Sequence, residues 1–361
     1  MTQATEISNP PAEAHRQGVP LWRSIAASTA LQSMVPVVVA LIVGAIIILM
    51  FGNDPLKFYS MVFKRGLLSW VGLQEVLTRM APLLLIAAGL IFCYRAGVWN
   101  LGMDGQFLIG AVLAAYFAVP LAEALPRGVA LGAACAIGAL AGATQTIIPA
   151  WLKIRYGTNE IISSLMMSLL GLSLTSWLIK GPMHDPNSTA VQTVTLPVED
   201  RFHRLFDTYV SSALLLGFVA IVVAHFVMSR TAFGLRLSMV GANRRAAVHA
   251  GLAINRLTAL SFAIGGALTG LAGAVEVTAI AGNVRADENP GYGFAILPLV
   301  FLARFNGWGT LFLTFIYALL LVGGQSASRR MQIPQEFLLV LVGLVLLFTA
   351  ISEVRARRRA R

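Results

Sequence analysis

Charged residues are scarce in this sequence. Only 12% of its 361 residues are Asp, Glu, Lys or Arg, whereas 57% are hydrophobic, and the mean hydropathy is +0.76. A soluble domain carries about 25% charged residues, and no soluble fold of this length can hide so much apolar surface. The composition therefore excludes a soluble protein and predicts a chain embedded in lipid.

Groups that carry covalent or metal chemistry are also few. The two cysteines, Cys93 and Cys135, lie inside apolar runs, which excludes a disulfide-stapled secreted domain. The five histidines are dispersed and predict no metal site. The sequence contains neither a phosphate-binding G-x-x-x-x-G-K-[ST] loop nor a G-x-S-x-G elbow. We therefore expect no enzyme activity, although a membrane-bound enzyme is the alternative.

The two ends of the chain have no long apolar run. The first apolar run starts near residue 35, much later than in a cleavable secretory signal. We expect residues 1–34 to be a cytosolic tail, with an interfacial helix around Trp22. Residues 353–361 hold five arginines and predict a basic cytosolic tail beside anionic lipid head groups. The region between them, 35–352, is predicted to be the transmembrane domain.

Ten apolar runs fill that region when it is scanned for helical spans of about 20 residues. They cover residues 35–52, 77–94, 106–120, 128–149, 160–180, 209–229, 257–281, 293–304, 309–324 and 336–352. The eighth and ninth are short and interrupted by "RFNGWG", so we expect them to be broken or re-entrant. The predicted fold class is all-α: a polytopic membrane protein with about ten transmembrane helices and both termini in the cytosol.

The placement of charged residues agrees with ten spans and two cytosolic termini. The segments predicted to be cytosolic hold 16 of the 27 Lys and Arg residues and three acids, whereas the outer segments hold 11 basic residues and ten acids. An excess of Lys and Arg marks the cytosolic side. The net charge of +11 is thereby explained without nucleic acid, and we expect no nucleic-acid partner.

A polar, Gly-rich stretch, "RAGVWNLGMDGQFLIGA" at 95–111, interrupts the apolar pattern. The glycines at 97, 102 and 105 are expected to break or loosen the helix. Broken helices at membrane depth are tolerated only where they are buried in protein or line a wet cavity. We therefore predict that Asn100, Asp104 and Gln106 line a translocation path or its cytosolic gate. The alternative is that Asn100 and Asp104 cap two half-helices and brace their neighbours.

Other polar residues at the spans are assigned to the same path or gate. They are Asn159 and Glu160 in "GTNEIISSLMMSLL", and Glu276 inside the seventh run. Charges within spans are costly and usually face a water-filled cavity or a partner. For Glu160 a structural or interfacial role at the helix start is favoured, and for Glu276 hydrogen bonding between helices is the alternative.

Pairs of glycines spaced four apart predict close helix packing. The pairs are Gly128 and Gly132, Gly138 and Gly142, and Gly266 and Gly270.

The loop at 229–256, "SRTAFGLRLSMVGANRRAAVHAGLAINR", has five arginines and no acid. Its halves predict two short helices, with Asn243 as the N-cap of "RRAAVHA". Ala246 and Ala247 leave one face nearly flat, which favours docking into a groove of another protein. The alternative is an ordinary positive-inside loop with an interfacial helix.

At this loop the sequence resembles a known family. "GANRRAAVHAGL" is similar to the cytosolic coupling loop of bacterial ABC-importer permeases for simple sugars and nucleosides. The shared G-x-N-x-x-A-A-x-x-A-G pattern falls on Gly241, Asn243, Ala246, Ala247, Ala250 and Gly251. The family's run F-R-A-G-x-x-N-I-G-x-E-G-Q resembles residues 94–106, with departures at Tyr94, Leu101 and Asp104. "GTNEIISSLMMSLL", "NDPLKFYSMVF", "GPMHDPN", "GLAGAVEV" and "GYGFAILPLVFLARFNGWGT" extend the likeness over about 35–350, nearest to nucleoside-type permeases.

The resemblance implies a transport subunit without its own ATPase. It would pair with an ABC ATPase that uses ATP and Mg²⁺, with a second homologous permease in a heterodimer, and with an extracytoplasmic substrate-binding lipoprotein. No cofactor would bind to this chain. The docking loop would include Arg236 and the matched positions. The cargo would be a nucleoside, or alternatively a simple sugar such as a pentose, in the bacterial inner membrane. An ion-coupled secondary transporter is the alternative outside this class.

Overall fold

The computed structural model describes residues 29–206, 208–334 and 337–359, and this part of the chain is helical with no strand. The predicted tail up to residue 28, including the helix around Trp22, and the last two residues lie outside the described residues. The helices are α1 (Thr29–Met50), α2 (Pro55–Phe63), α3 (Trp70–Arg95), α4 (Met103–Ala124), α5 (Arg127–Gln145), α6 (Ile147–Tyr156), α7 (Glu160–Lys180), α8 (Ala213–Arg230), α9 (Ala232–Ala242), α10 (Arg244–His249), α11 (Ile254–Val275), α12 (Tyr292–Leu302), α13 (Gly307–Met331) and α14 (Phe337–Arg359).

Short polar residues set several of the helix starts. Asp54, Asn159, Asn243 and Asn306 each accept hydrogen bonds from backbone N–H groups in the first turn of the helix that follows. These N–H groups have no partner inside the helix. Within the spans, helices are favoured because lipid offers no other partner to backbone groups.

Seven segments of the described chain are long and apolar enough to cross a membrane. They are α3, α4, α5 with α6, α7, α8, α11 with its π-helical extension Glu276–Ala281, and α13. The chain is therefore a multi-pass, all-α membrane protein. The first, eighth and tenth predicted runs correspond to α1, α12 and α14, and a total of ten spans stays a prediction.

The eighth and ninth runs turn out to be unlike each other. α12 has 11 residues, or about 16 Å at 1.5 Å per residue, which is half of the roughly 30 Å hydrocarbon core. The expectation of a short eighth element is confirmed. α13 has 25 residues, so the expectation of a short ninth span is wrong. The apolar count missed its last turns because these carry Gln, Ser and Arg side chains.

α3 is the central helix of the bundle. It packs against α8, α11, α12 and α13, and every residue from 80 to 94 is buried. α3 and α11 run antiparallel, because Arg79 meets Glu276 near one end whereas the Cys93 thiol donates to the Ser261 carbonyl (3.2 Å) near the other. The end of α3 at Arg95 is called the coupling end below, and the end at Trp70 is called the far end.

Glycines allow α4, α5 and α11 to approach one another closely. A methyl group on Gly142 would overlap the carbonyl oxygen of Gly266, and one on Gly270 would overlap that of Gly138. Gly128 and Gly132 differ, because a Cβ at either position would meet no atom within 4 Å. These two glycines of α5 therefore face no other helix in the described residues.

Candidate functional site

The helix breaks between α3 and α4, at residues 96–102. Gly97 has a φ of +70°, a left-handed conformation that glycine adopts without steric cost. A Cβ at Gly97 would lie 2.9 Å from the Cα atom of Gly241, at the end of α9. Gly102 is the last residue before α4. The predicted break is thus confirmed at these glycines, but Gly105 lies inside α4 and does not contribute to it.

Asn100 and Gln106 hold the break together. The amide of each side chain donates to the oxygen of the other at 3.1 Å, and the Gly102 N–H donates to the Asn100 Oδ1 atom at 3.0 Å. Both side chains are 1% exposed. In this conformation they brace the turn, and contact with a solute stays a prediction.

Two serines of α7 bind the start of α4, and the sequence analysis did not single them out. Ser164 accepts a hydrogen bond from the Leu101 N–H, and Ser168 accepts one from the Gly105 N–H, both at 3.0 Å. Their spacing of four residues places them on one face of α7. Two serines spaced four residues apart on a predicted span are the sequence pattern that could have identified these contacts with the break.

Asp104 joins the break to the start of the half-length helix α12. Its Oδ1 atom accepts a hydrogen bond from the Gly293 N–H at 2.8 Å, and the residue is 2% exposed. A carboxylate is stabilised at a helix N-terminus by the unpaired N–H groups and the helix dipole. Its Oδ2 atom has no hydrogen-bond partner among the described residues. The predicted capping role is therefore present, across helices rather than within one.

Glu276 forms an ion pair that the sequence analysis missed. The Arg79 Nη1 atom of α3 donates to the Glu276 Oε1 atom at 2.8 Å and to the Tyr292 hydroxyl oxygen at 3.0 Å. Glu276 is also the first residue of the π-helical segment. An arginine two residues inside a predicted span, with an unplaced acid in another, was the signal for this pair.

Asn159 and Glu160 lie apart from these residues, at the junction of α6 and α7. Asn159 caps α7 by accepting from the Ile161 N–H at 3.0 Å. Glu160 pairs with the Lys153 Nζ atom at 2.6 Å. These contacts agree with the structural alternative given for Glu160.

The loop at 229–256 forms the two predicted helices, α9 and α10. The Asn243 Oδ1 atom accepts from the Ala246 N–H at 3.1 Å, so the predicted N-cap is confirmed. Ala247 is 1% exposed and packs into this chain's own core, whereas Val248 is 59% exposed. The outward face of α10 is made by its other residues, Arg244, Arg245, Ala246, Val248 and His249, and Arg236 of α9 is exposed as well.

The loop at 229–256 touches the break directly. Gly241 lies so close to the chain before Gly97 that a Cβ there would overlap the Arg95 carbonyl oxygen. The end of α9 and the turn at 95–97 therefore pack with no room for a side chain between them. This turn leads within three residues to Asn100 and within seven to Asp104.

At the far end, an open basic cavity of about 470 Å³ lies between the 198–211 segment and α5. The Arg127 guanidinium donates to the Arg201 carbonyl oxygen, and Arg204 lies 4.8 Å from the centre of the Tyr209 ring. Partial burial lowers the pKa of Arg201. None of the residues that line the cavity is acidic. The described ranges hold no group of three or more His, Cys, Asp or Glu residues placed to bind a metal ion.

Comparison with known proteins gives a consistent family. The profile described as "Branched-chain amino acid transport system / permease component" matches residues 72–350. The glucose ABC transporter permease protein TsgB13 of Haloferax volcanii is 32% identical, over 95% of this chain and 92% of its own length. The nucleoside permease protein NupB of Lactococcus lactis is 27% identical (89% and 90%), and the guanosine permease protein NupP of Bacillus subtilis is 26% identical (88% and 92%). A second L. lactis nucleoside permease protein, NupC, also matches. No solved structure matches the chain.

Proposed function

The chain belongs to the family of branched-chain amino acid transport system permease components, and from this premise we propose that it forms the translocation path of an ATP-driven importer for nucleosides. It is an ABC transporter permease of the simple-sugar and nucleoside type. Transport subunits of this kind carry no ATPase site, so ATP and Mg²⁺ are used by a partner.

The observation that carries the proposal is the contact between Gly241 and the turn at 95–97. An importer driven by a separate ATPase needs an exposed docking surface that is mechanically joined to the path. α9, α10 and the turn after them supply the surface, and the glycine contact joins it to the path. The surface includes Arg236 of α9 and the matched positions Gly241, Asn243, Ala246, Ala250 and Gly251. Movement of α9 would displace the Asn100–Gln106 brace and the start of α4. Ala247, being buried, would support the docking helix from inside.

The polar groups near the break suit an uncharged, hydroxyl-rich cargo. Asn100, Asp104 and Gln106 offer amide and carboxylate groups, and Glu276 lies in the same bundle. In the present conformation Asn100 and Gln106 bind each other, Asp104 binds the Gly293 N–H and Glu276 binds Arg79. In an open conformation these groups would bind solute. We favour nucleosides because NupB and NupP are named for nucleoside and guanosine transport. A simple sugar is the second candidate, since the 32% identical TsgB13 is named for glucose.

The assembly we propose contains three partners. The cytosolic partner is an ABC ATPase at α9 and α10. The second is a homologous permease, because L. lactis has both NupB and NupC. The third is an extracytoplasmic lipoprotein that delivers solute at the far end, where the basic cavity opens. Residues 35–352 would form the permease domain in the bacterial inner membrane, with residues 1–34 and 353–361 as cytosolic tails, the second against lipid.

Reconstitution into vesicles tests this proposal. The chain is combined with its ATPase and second permease, the lipoprotein is added outside, and uptake of labelled guanosine, adenosine, uridine, ribose and glucose is measured. We expect nucleoside uptake that requires ATP and every partner. Uptake by the chain alone under an ion gradient would contradict the proposal and indicate a secondary transporter. Uptake of sugars but not of nucleosides would show that the cargo is a simple sugar, the second candidate.

A further inference from the structure

The N-terminal end of α12 is held by side chains from two other helices, and a third element holds one of those side chains. Arg79 of α3 binds both the Tyr292 hydroxyl and Glu276 at the end of α11, while Asp104 of α4 binds the Gly293 N–H.

Phe301, near the C-terminal end of α12, packs on Tyr94 beside the coupling end of α3, with ring centroids 4.9 Å apart. Because α12 is only about 16 Å long and the hydrocarbon core is roughly 30 Å thick, its N-terminal end lies at membrane depth. A helix end in that position needs polar partners, since lipid supplies none.

The charges at this junction do not balance. Arg79 pairs with Glu276, whereas Asp104 has no ion-pair partner among the described residues and accepts only the Gly293 N–H. The Asp104 Oδ2 and Glu276 Oε2 atoms are buried without a hydrogen-bond partner in the same ranges. Uncompensated acceptors within a membrane are costly and usually functional.

The surrounding backbone favours movement at the same place. α11 changes from α-helical to π-helical geometry at Glu276, and π segments occur often at functional sites. Residues 282–291, which connect the far end to α12, contain no regular helix. The start of α12 can therefore move without unwinding a continuous span.

We propose that Arg79, Glu276, Tyr292 and Asp104 form a clamp that closes the far side of the translocation path by seating the end of α12. Arg79 is the positioning residue, because it touches both Glu276 and Tyr292. When the clamp opens, its internal hydrogen bonds break and the hydroxyl groups of a neutral, polyhydroxylated solute replace them. These hydroxyl groups donate hydrogen bonds to the two carboxylate oxygens that have no partner, Asp104 Oδ2 and Glu276 Oε2. This inference rests on the proposed transport function, which it deepens by assigning the outer gate and the class of ligand group.

Thiol labelling tests the clamp in membrane vesicles that contain the full complex. Met103→Cys, next to Asp104 and 2% exposed in the native chain, places a reporter thiol at the junction in a Cys135→Ala background. Native Cys93, 1% exposed and bonded to Ser261, remains as an internal control for general loosening. A membrane-impermeant methanethiosulfonate reagent is added to each face separately, and labelling of both thiols is measured by mass spectrometry.

Glu276→Gln keeps the size of the side chain but removes its charge, and Tyr292→Phe removes one hydroxyl. We expect both variants to raise the labelling rate at position 103 from the outer face, at least about 10-fold for Glu276→Gln, with Cys93 unchanged. Glu160→Gln breaks the other buried ion pair, Lys153–Glu160, and should leave both rates unchanged.

Three results would overturn the clamp: no increase at position 103, a parallel increase at Cys93, or an increase only from the inner face. If Glu276→Gln does not accumulate in membranes, Arg79→Lys is the milder second variant and is expected to act in the same direction. The labelling requires neither ATP nor solute. A failed uptake assay would therefore contradict the proposed function without testing the clamp. Unchanged labelling would contradict the clamp and leave the proposed function standing.

Discussion

The glycine contact between the coupling loop and the break can be isolated by a matched pair of substitutions. Gly97→Ala adds a methyl group at a φ of +70°, with Gly241 Cα 2.9 Å from its Cβ atom. Gly157→Ala adds the same group at a φ of +65°, where nothing lies within 4 Å. Both pay the left-handed cost of about 1–2 kcal/mol for a residue with a Cβ. Only Gly97→Ala must also displace a packed neighbour, for which overpacking costs typically about 1–3 kcal/mol.

The assay separates stability from coupling. We expect Gly157→Ala to lower the free energy of unfolding by about 1–2 kcal/mol and to leave unchanged the number of solute molecules imported per ATP hydrolysed. Gly97→Ala should be destabilised by roughly twice as much, because the strain and overpacking costs add. It should also import far fewer solute molecules per ATP hydrolysed (the coupling ratio), because α9 and the turn at 95–97 no longer fit together. The measurements are thermal unfolding in detergent and paired uptake and ATPase rates in vesicles. An equal coupling ratio in the two variants would refute the mechanical joint.

Further predictions concern packing, docking and pH. Gly142→Ala should lower stability by about 1–3 kcal/mol through overlap with Gly266, whereas Gly132→Ala should be neutral or stabilise by up to about 1 kcal/mol through helix propensity; thermal unfolding compares them, and equal effects would contradict the packing. Val248→Glu should abolish co-purification of the ATPase with an unchanged melting temperature, and retention of the ATPase would move the docking surface elsewhere. In the loop after the π-helical segment, a hydrogen bond from Lys180 at the end of α7 lowers the pKa of Asp287. Any stabilisation from this pair therefore holds above the unfolded-state pKa and fades as pH falls through the lower folded-state value. Because the pair is exposed, Asp287→Asn should leave the melting temperature at pH 7 unchanged, and a clear drop would show a larger role.

The helices and the break could be read from the sequence because both depend on local chemistry. An apolar run in lipid must satisfy its own backbone, so it becomes a helix. Glycine at 97 and 102 marks the break because it tolerates left-handed or irregular backbone. Asn243 could be assigned as a cap because its hydrogen bond reaches only three residues along the chain.

Contacts between distant residues could not be read in the same way. Arg79 and Glu276 are 197 positions apart, and Asp104 and Gly293 are 189 apart, so no local pattern pairs them. Ala246 and Ala247 look alike in sequence, yet only Ala247 is buried, because neighbouring residues of a helix point about 100° apart and the packing of α10 decides which side faces the core. Gly132 and Gly142 share a spacing motif, yet only one faces a helix.

Composition and periodicity by themselves determined that this chain is a membrane protein and that it is helical. They also located the break in the backbone and the exposed basic loop. The physical reason is that hydrophobic transfer, backbone hydrogen bonding and capping act over a few residues or over the whole surface. Only the tertiary structure decided which buried charge meets which, and that the basic loop presses on the break, since those facts depend on how the helices pack.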